Sequence, residues 1–170
     1  MKKSILVSIF VLGSIVAAWA QPRAIGINIG PWTSFSYQHG FGSANMLDVA
    51  ANVITPIPPF TGRFGLGGHV TYDWIDPFGA TFPWDKKGEW HWYMGVGGSA
   101  GYVFEHDAAK NWFYAGAAGH IGFEYDFWFP FQLSVDWRPS IGINNVDNKI
   151  GFNDYGLWGP ISIGVRYRFH

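Results

Sequence analysis

Ile161-Ser162-Ile163-Gly164-Val165-Arg166-Tyr167-Arg168-Phe169 alternates without a break. Ile161, Ile163, Val165, Tyr167 and Phe169 share one parity, and Ser162, Gly164, Arg166 and Arg168 share the other. A helix places every third or fourth residue on one face, whereas a strand places every second one there, so this stretch predicts a β-strand with an apolar and a polar side. A soluble β-sandwich carries the same alternation, and the strand alone does not locate the polar side in water or in a barrel lumen.

The pattern recurs along the chain. Phe131, Leu133, Val135 and Trp137 alternate with Gln132, Ser134, Asp136 and Arg138. Phe64, Leu66, Val70, Tyr72 and Trp74 share a parity opposite to Gly65, Gly67, His69, Thr71 and Asp73. Between Trp90 and Phe104 the large residues Trp90, Trp92, Met94, Val96, Tyr102 and Phe104 alternate with His91, Tyr93, Gly95, Gly97, Ser99 and Gly101, and Val103 is the exception. Eight strands are expected, over about 23 to 31, 33 to 39, 45 to 54, 63 to 75, 89 to 104, 112 to 126, 131 to 139 and 158 to 169. An even number of strands fits an up-and-down meander closed on itself with both termini on one side.

Composition explains why such a sheet would close. The chain is 48% hydrophobic and 19% aromatic but only 14% charged, against about 25% charged in ordinary soluble domains. That is more apolar surface than one small core hides. Hydrocarbon offers no partner to an unpaired backbone N–H or C=O, so a sheet can span a membrane only without edges. The aromatic residues form two expected belts at the membrane interfaces. Trp74, Trp90, Tyr125, Trp128, Phe129, Tyr167 and Phe169 collect towards the predicted periplasmic end. Trp32, Tyr102, Phe104, Trp112, Trp137 and Trp158 collect towards the other, with small residues such as Ala115-Gly116-Ala117-Ala118-Gly119 between.

The N-terminus reads as an export signal. Lys2 and Lys3 precede an uncharged apolar run from Ile5 to Ala17, and Ala18-Trp19-Ala20 supplies a small-x-small cleavage site. The run falls short of the roughly 20 residues of a spanning helix. The expected organisation is a signal peptide over 1–20 and a single barrel domain over 21–170. Cysteine is absent, so neither a disulfide nor a lipidated Cys is available. A net charge of −1 lacks the Lys/Arg excess of a nucleic-acid-binding surface.

With these stretches in order, the mature chain resembles the small outer-membrane β-barrel proteins of the Bacteroidetes, similar in architecture to OmpX- and OmpA-type eight-stranded barrels. The resemblance rests on Ala24-Ile25-Gly26-Ile27-Asn28-Ile29-Gly30, Ser36-Tyr37-Gln38-His39, Gly42-Ser43-Ala44-Asn45 and Trp92-Tyr93-Met94-Gly95-Val96-Gly97-Gly98. It also rests on Gln132 to Pro139 and the closing Ile163 to Phe169. It implies a bacterial outer-membrane location, contact with outer-membrane lipid and lipopolysaccharide, and recognition by the barrel-assembly machinery through the terminal aromatic strand. His170 after Phe169 departs from that terminal pattern, and the Asp76 to Gly88 connection is long for a periplasmic turn.

Inward parity collects Asp48, Asp73, Glu124, Asp126 and Asp136 with Arg63, Arg138, Arg166 and Arg168. Read functionally, they make an ion path or a site of shifted ionisation. Read structurally, they pair and fill a lumen that eight strands leave only wide enough for side chains, and this is the preferred reading. His69, His91 and His120 also point inward but lie on separate strands without a metal-ligand spacing, so no metal, cofactor or catalytic residue is assigned. The enzymatic alternative is a lipid A-modifying barrel using Ser134 and His120 with Glu124 or Asp136, although a deacylase acts on the lipid face and these residues have lumen parity. A small porin is the other alternative. The expected role is non-enzymatic, structural or surface-interacting. The polar stretch Ile141 to Tyr155 is read as a solvated loop that can also present a surface ligand site.

Overall fold

The computed structural model describes residues 21–54, 63–79, 87–105, 111–145, 150–152 and 161–169. The signal-peptide reading of 1–20, Trp158, His170 and part of the Asp76 to Gly88 connection lie outside the described residues.

Eight of the strands close into an antiparallel barrel. They are β1 (Gln21–Ile29), β2 (Thr33–Gly40), β3 (Asn45–Ile54), β4 (Arg63–Ile75), β5 (Gly88–Glu105), β6 (Trp112–Phe127), β7 (Phe131–Trp137) and, after two short strands, β10 (Ile161–Arg168). Neighbours pair in sequence order from β1 to β7, β10 pairs with β7 and with β1, and the ring has no open edge. The predicted meander is therefore present, and all its ladder hydrogen bonds run between adjacent strands.

Alternation decides what faces in. On β10, Ile161, Ile163, Val165 and Tyr167 are exposed while Ser162, Gly164 and Arg166 are buried. On β7, Gln132, Ser134 and Asp136 are buried and Phe131, Leu133 and Val135 are exposed. The barrel is thus polar inside and apolar outside. Its inward glycines make room for this interior: a Cβ at Gly164 would sit 2.5 Å from Asn28 Oδ1, and one at Gly101 2.6 Å from the Tyr114 ring. At the tight β2–β3 turn, Gly42 takes φ +75° and Phe41 N donates to Asn45 O at 2.8 Å.

Two sequence expectations are corrected. The stretch from Ser140 to Leu157, expected as one connection, contains β8 (Ser140–Asn144) and β9 (Ile150–Phe152). β8 continues the line of β7 against β6: Trp137 faces Ile121 and Ser140 faces Ala118, so the register is unchanged across Arg138-Pro139. Pro139 has no N–H to give the ladder, which splits one long strand in two, although Gly119 N still donates to Pro139 O at 2.8 Å. The loop reading of Ile141 to Tyr155 therefore fails at its start, where Ile141 and Ile143 are exposed strand residues.

The second correction concerns the belt at the β1–β2 turn end. Trp112 is only 9% exposed and packs inside the barrel with Val103 and Tyr114, with Trp32 against them. Its parity on β6 is that of Glu124 and Asp126, so alternation alone places it in the lumen. Tyr102, Phe104 and Phe113 remain on the outside at that end. At the opposite end the outward rings touch in series from Trp90 through Tyr125, Phe127, Phe129, Phe131 and Tyr167 to Phe169.

Candidate functional site

The lumen is the place where polar chemistry collects. Among the described residues five carboxylates, from Asp48, Asp73, Glu124, Asp126 and Asp136, are buried. Four guanidiniums face them, those of Arg23, Arg138, Arg166 and Arg168.

Asp136 on β7 is the hub. Arg166 Nη2 donates to its Oδ2 at 3.2 Å, Ser134 Oγ donates to Oδ2 at 2.8 Å, Tyr93 OH donates to Oδ1, and Arg138 Nη2 lies 3.7 Å from Oδ1. Arg166 spreads its remaining donors across the lumen: Nη1 to Gln132 Oε1 at 3.2 Å and to Ser134 Oγ at 2.6 Å, and Nη2 to Asn28 Oδ1 at 2.9 Å. Isolated, either charge would be expensive in this interior. With both Asp136 oxygens and the Arg166 donors met, the pair is held on several sides.

His120 on β6 sits between two carboxylates. Its Nδ1 is 2.9 Å from Asp73 Oδ2 and its Nε2 is 3.2 Å from Asp136 Oδ1. A neutral imidazole has one N–H, so the ring donates to both only as the imidazolium. One imidazolium balances the five carboxylates against the four guanidiniums.

Two side branches complete the network. Asp48 accepts from Ser36 Oγ at 3.1 Å and Arg138 Nη2 at 3.4 Å, with His69 Nε2 at 3.4 Å. Towards the Trp128 end, Arg23 forms a two-pronged ion pair with Glu124, Gln132 Nε2 bridges Glu124 at 2.9 Å and Asp126 at 3.1 Å, and Arg168 pairs with Asp126 at 3.1 Å. At that rim His91 Nδ1 lies 2.6 Å from Asp76 Oδ2.

Alternation places most of these residues inside, but it misses Arg23. Its odd number matches the outward Ile25, Ile27 and Ile29, yet the β1–β2 register slips between Pro22 and Ala24. That bulge turns both Arg23 and Ala24 inward. Asn28, Ser34, Ser36 and Gln38 are legible from the parity of their own strands. The side chain of Arg63 lies outside the described residues.

The suggested serine–histidine arrangement is not assembled. Ser134 Oγ gives its proton to Asp136 and accepts from Arg166, while both His120 nitrogens are taken by Asp73 and Asp136. Ser134 Oγ is therefore turned to a carboxylate and not to an imidazole among the described residues. His69 and His120 have ring centroids 6.4 Å apart but answer to different carboxylates. Among the described residues no group of three or more His, Cys, Asp or Glu side chains is arranged to hold a metal ion.

Above the network, towards the β1–β2 turn, the lumen opens into a cavity of about 530 Å³ including the space at its mouth. His69 and Arg138 lie at its base, and Trp32, Tyr114 and Ala118 contribute walls. Comparison of the chain with protein-family profiles, curated proteins and solved structures finds no match.

Proposed function

We propose that this chain is a bacterial outer-membrane protein, exported by a cleaved signal peptide. It spans the bilayer as an eight-stranded barrel whose charged lumen provides stability rather than a broad pore. The observation that carries this reading is the inversion of the barrel. Ile29 is 60% exposed, Val96 62% and Ile163 55%, while Asp48, Asp73, Glu124 and Asp136 are 0% exposed. Water would penalise such an outer face around a closed sheet, and hydrocarbon favours it. Outward aromatics such as Trp128, Phe129, Tyr167 and Phe169 suit a headgroup interface at one end.

On this reading the barrel contacts outer-membrane lipid and lipopolysaccharide, and the barrel-assembly machinery inserts it. Its role is structural or surface-interacting and non-enzymatic. The direct test is cell fractionation followed by gel electrophoresis with and without boiling. The protein should sit in the outer membrane and migrate faster unboiled, because a closed barrel withstands detergent at room temperature. Recovery only from the soluble periplasm would overturn the proposal.

A further inference from the structure

We propose that the lumen cavity at the β1–β2 turn end is a binding site for a small amphipathic carboxylate, its acid group on Arg138 and its apolar body against Trp32, Tyr114 and Ala118. Three observations converge. The cavity ends on the charged network, since its lining residues Arg138 and His69 both contact Asp48. Its one charged lining group is a cation: Arg138 lines it together with His69, Ser34, Asn52 and Ser99, and among the described residues no carboxylate does. The third is unmet hydrogen-bonding capacity. Arg138, with a side chain only 10% exposed, directs Nη2 towards Asp48 and Asp136 while its Nε has no partner among the described residues. The hydroxyl of Ser99, on β5 two strands away, is also buried without one.

A buried donor without a partner costs stability, and a natural interior retains few of them. A carboxylate is the ligand group matched to a guanidinium edge, since its two oxygens accept side by side and the contact is charge-assisted. Asp48 and Asp136 hold Arg138 from below, so the guanidinium is oriented before a ligand arrives. The walls select the body that carries the acid. Pro31, Trp32 and Ala118 offer apolar surface, which suits a short hydrocarbon chain better than a polyhydroxylated one.

The test uses the full barrel in lipid nanodiscs, with empty nanodiscs subtracting partition into the bilayer. Hexanoate, hexanol and hexylammonium are compared by saturation-transfer NMR and calorimetry. Saturable hexanoate binding is expected, at least tenfold tighter than hexanol, with no saturable response to hexylammonium. Arg138→Gln should weaken hexanoate at least tenfold. Because that variant also disturbs the Asp48 and Asp136 pairs, Ser99→Val provides a second arm: it touches no ion pair, fills the cavity, and should weaken hexanoate several-fold while the unboiled gel mobility is kept. Hexanoate signals equal to those of empty nanodiscs, equal affinity for the amine, or a folded Ser99→Val barrel that binds hexanoate unchanged would each overturn the proposal.

Discussion

A single carboxylate shows how the interior works. Asp136 faces Arg166, Arg138 and His120 at once; Arg138 and His120 also meet Asp48 and Asp73, whereas among the described residues Asp136 is the carboxylate paired with Arg166. Removing its charge strands the buried Arg166 guanidinium, a change that typically costs about 3–5 kcal/mol. Asp136→Asn should therefore lower the stability of the folded barrel by that order, read from urea titrations in lipid vesicles. Outside, the logic reverses. Val165 is 45% exposed on the apolar face, and Val165→Arg should cost about 2–4 kcal/mol if the site lies near the bilayer midplane. Val165→Leu should be nearly neutral in the same assay. Equal tolerance of Arg and Leu there would remove the lipid-facing assignment. One residue earlier, Gly164→Arg should fail for another reason, because Asn28, Ser134 and Arg166 already occupy the space in front of Gly164.

Strands carry features that individual residues do not. β7 and β8 keep one register against β6 and are divided only where Pro139 replaces a ladder donor. Pro139→Ala should restore that N–H opposite Gly119 O, adding about 0.5–1.5 kcal/mol. The measurement is slower amide exchange at Trp137 and Ile141. Exchange left unchanged would mean that the chain, not the missing donor, sets the break. On the other side of this line, Trp137 faces Ile161 of β10 and Ile143 faces Ile150 of β9, so β9 takes over as partner beyond the proline. At the C-terminus, Phe169 N donates to Arg23 O at 3.0 Å and its ring stands edge-on to Tyr167 at 5.3 Å. Truncation before Phe169 should reduce the folded fraction in the outer membrane more than removal of His170 alone, as read by unboiled gel mobility.

At the scale of the molecule, an eight-stranded ring encloses a space that side chains fill. Here they fill it with groups that neutralise one another, from Arg168 and Asp126 near one rim to Arg138 and Asp48 beneath the cavity. Planar-bilayer recordings should accordingly show little steady conductance, and large stable openings would point to a porin. Loss of Asp136 should raise conductance as well as lower stability, because the same contacts close the path.

Local alternation was enough to read the eight barrel strands and nearly all the inward charges, since side-chain direction in a strand depends only on parity. It also contained the answer for Trp112, whose even number shares the lumen parity of Glu124, although the expectation of a second aromatic belt drew it outward. What parity cannot hold is anything that changes it. The bulge before Ala24 brought Arg23 onto Glu124, a partner 101 residues away, and no local pattern announces such a slip. Neither does a local pattern show that β8 and β9 prolong the wall beyond Pro139, because that depends on pairing with β6. The sequence by itself determined which residues are polar and on which face they recur. Only closure of the barrel decided which of them meet, because Asp136 reaches Arg166 on β10, His120 reaches Asp73 on β4 and Arg138 reaches Asp48 on β3, contacts between segments that are not consecutive strands of the chain.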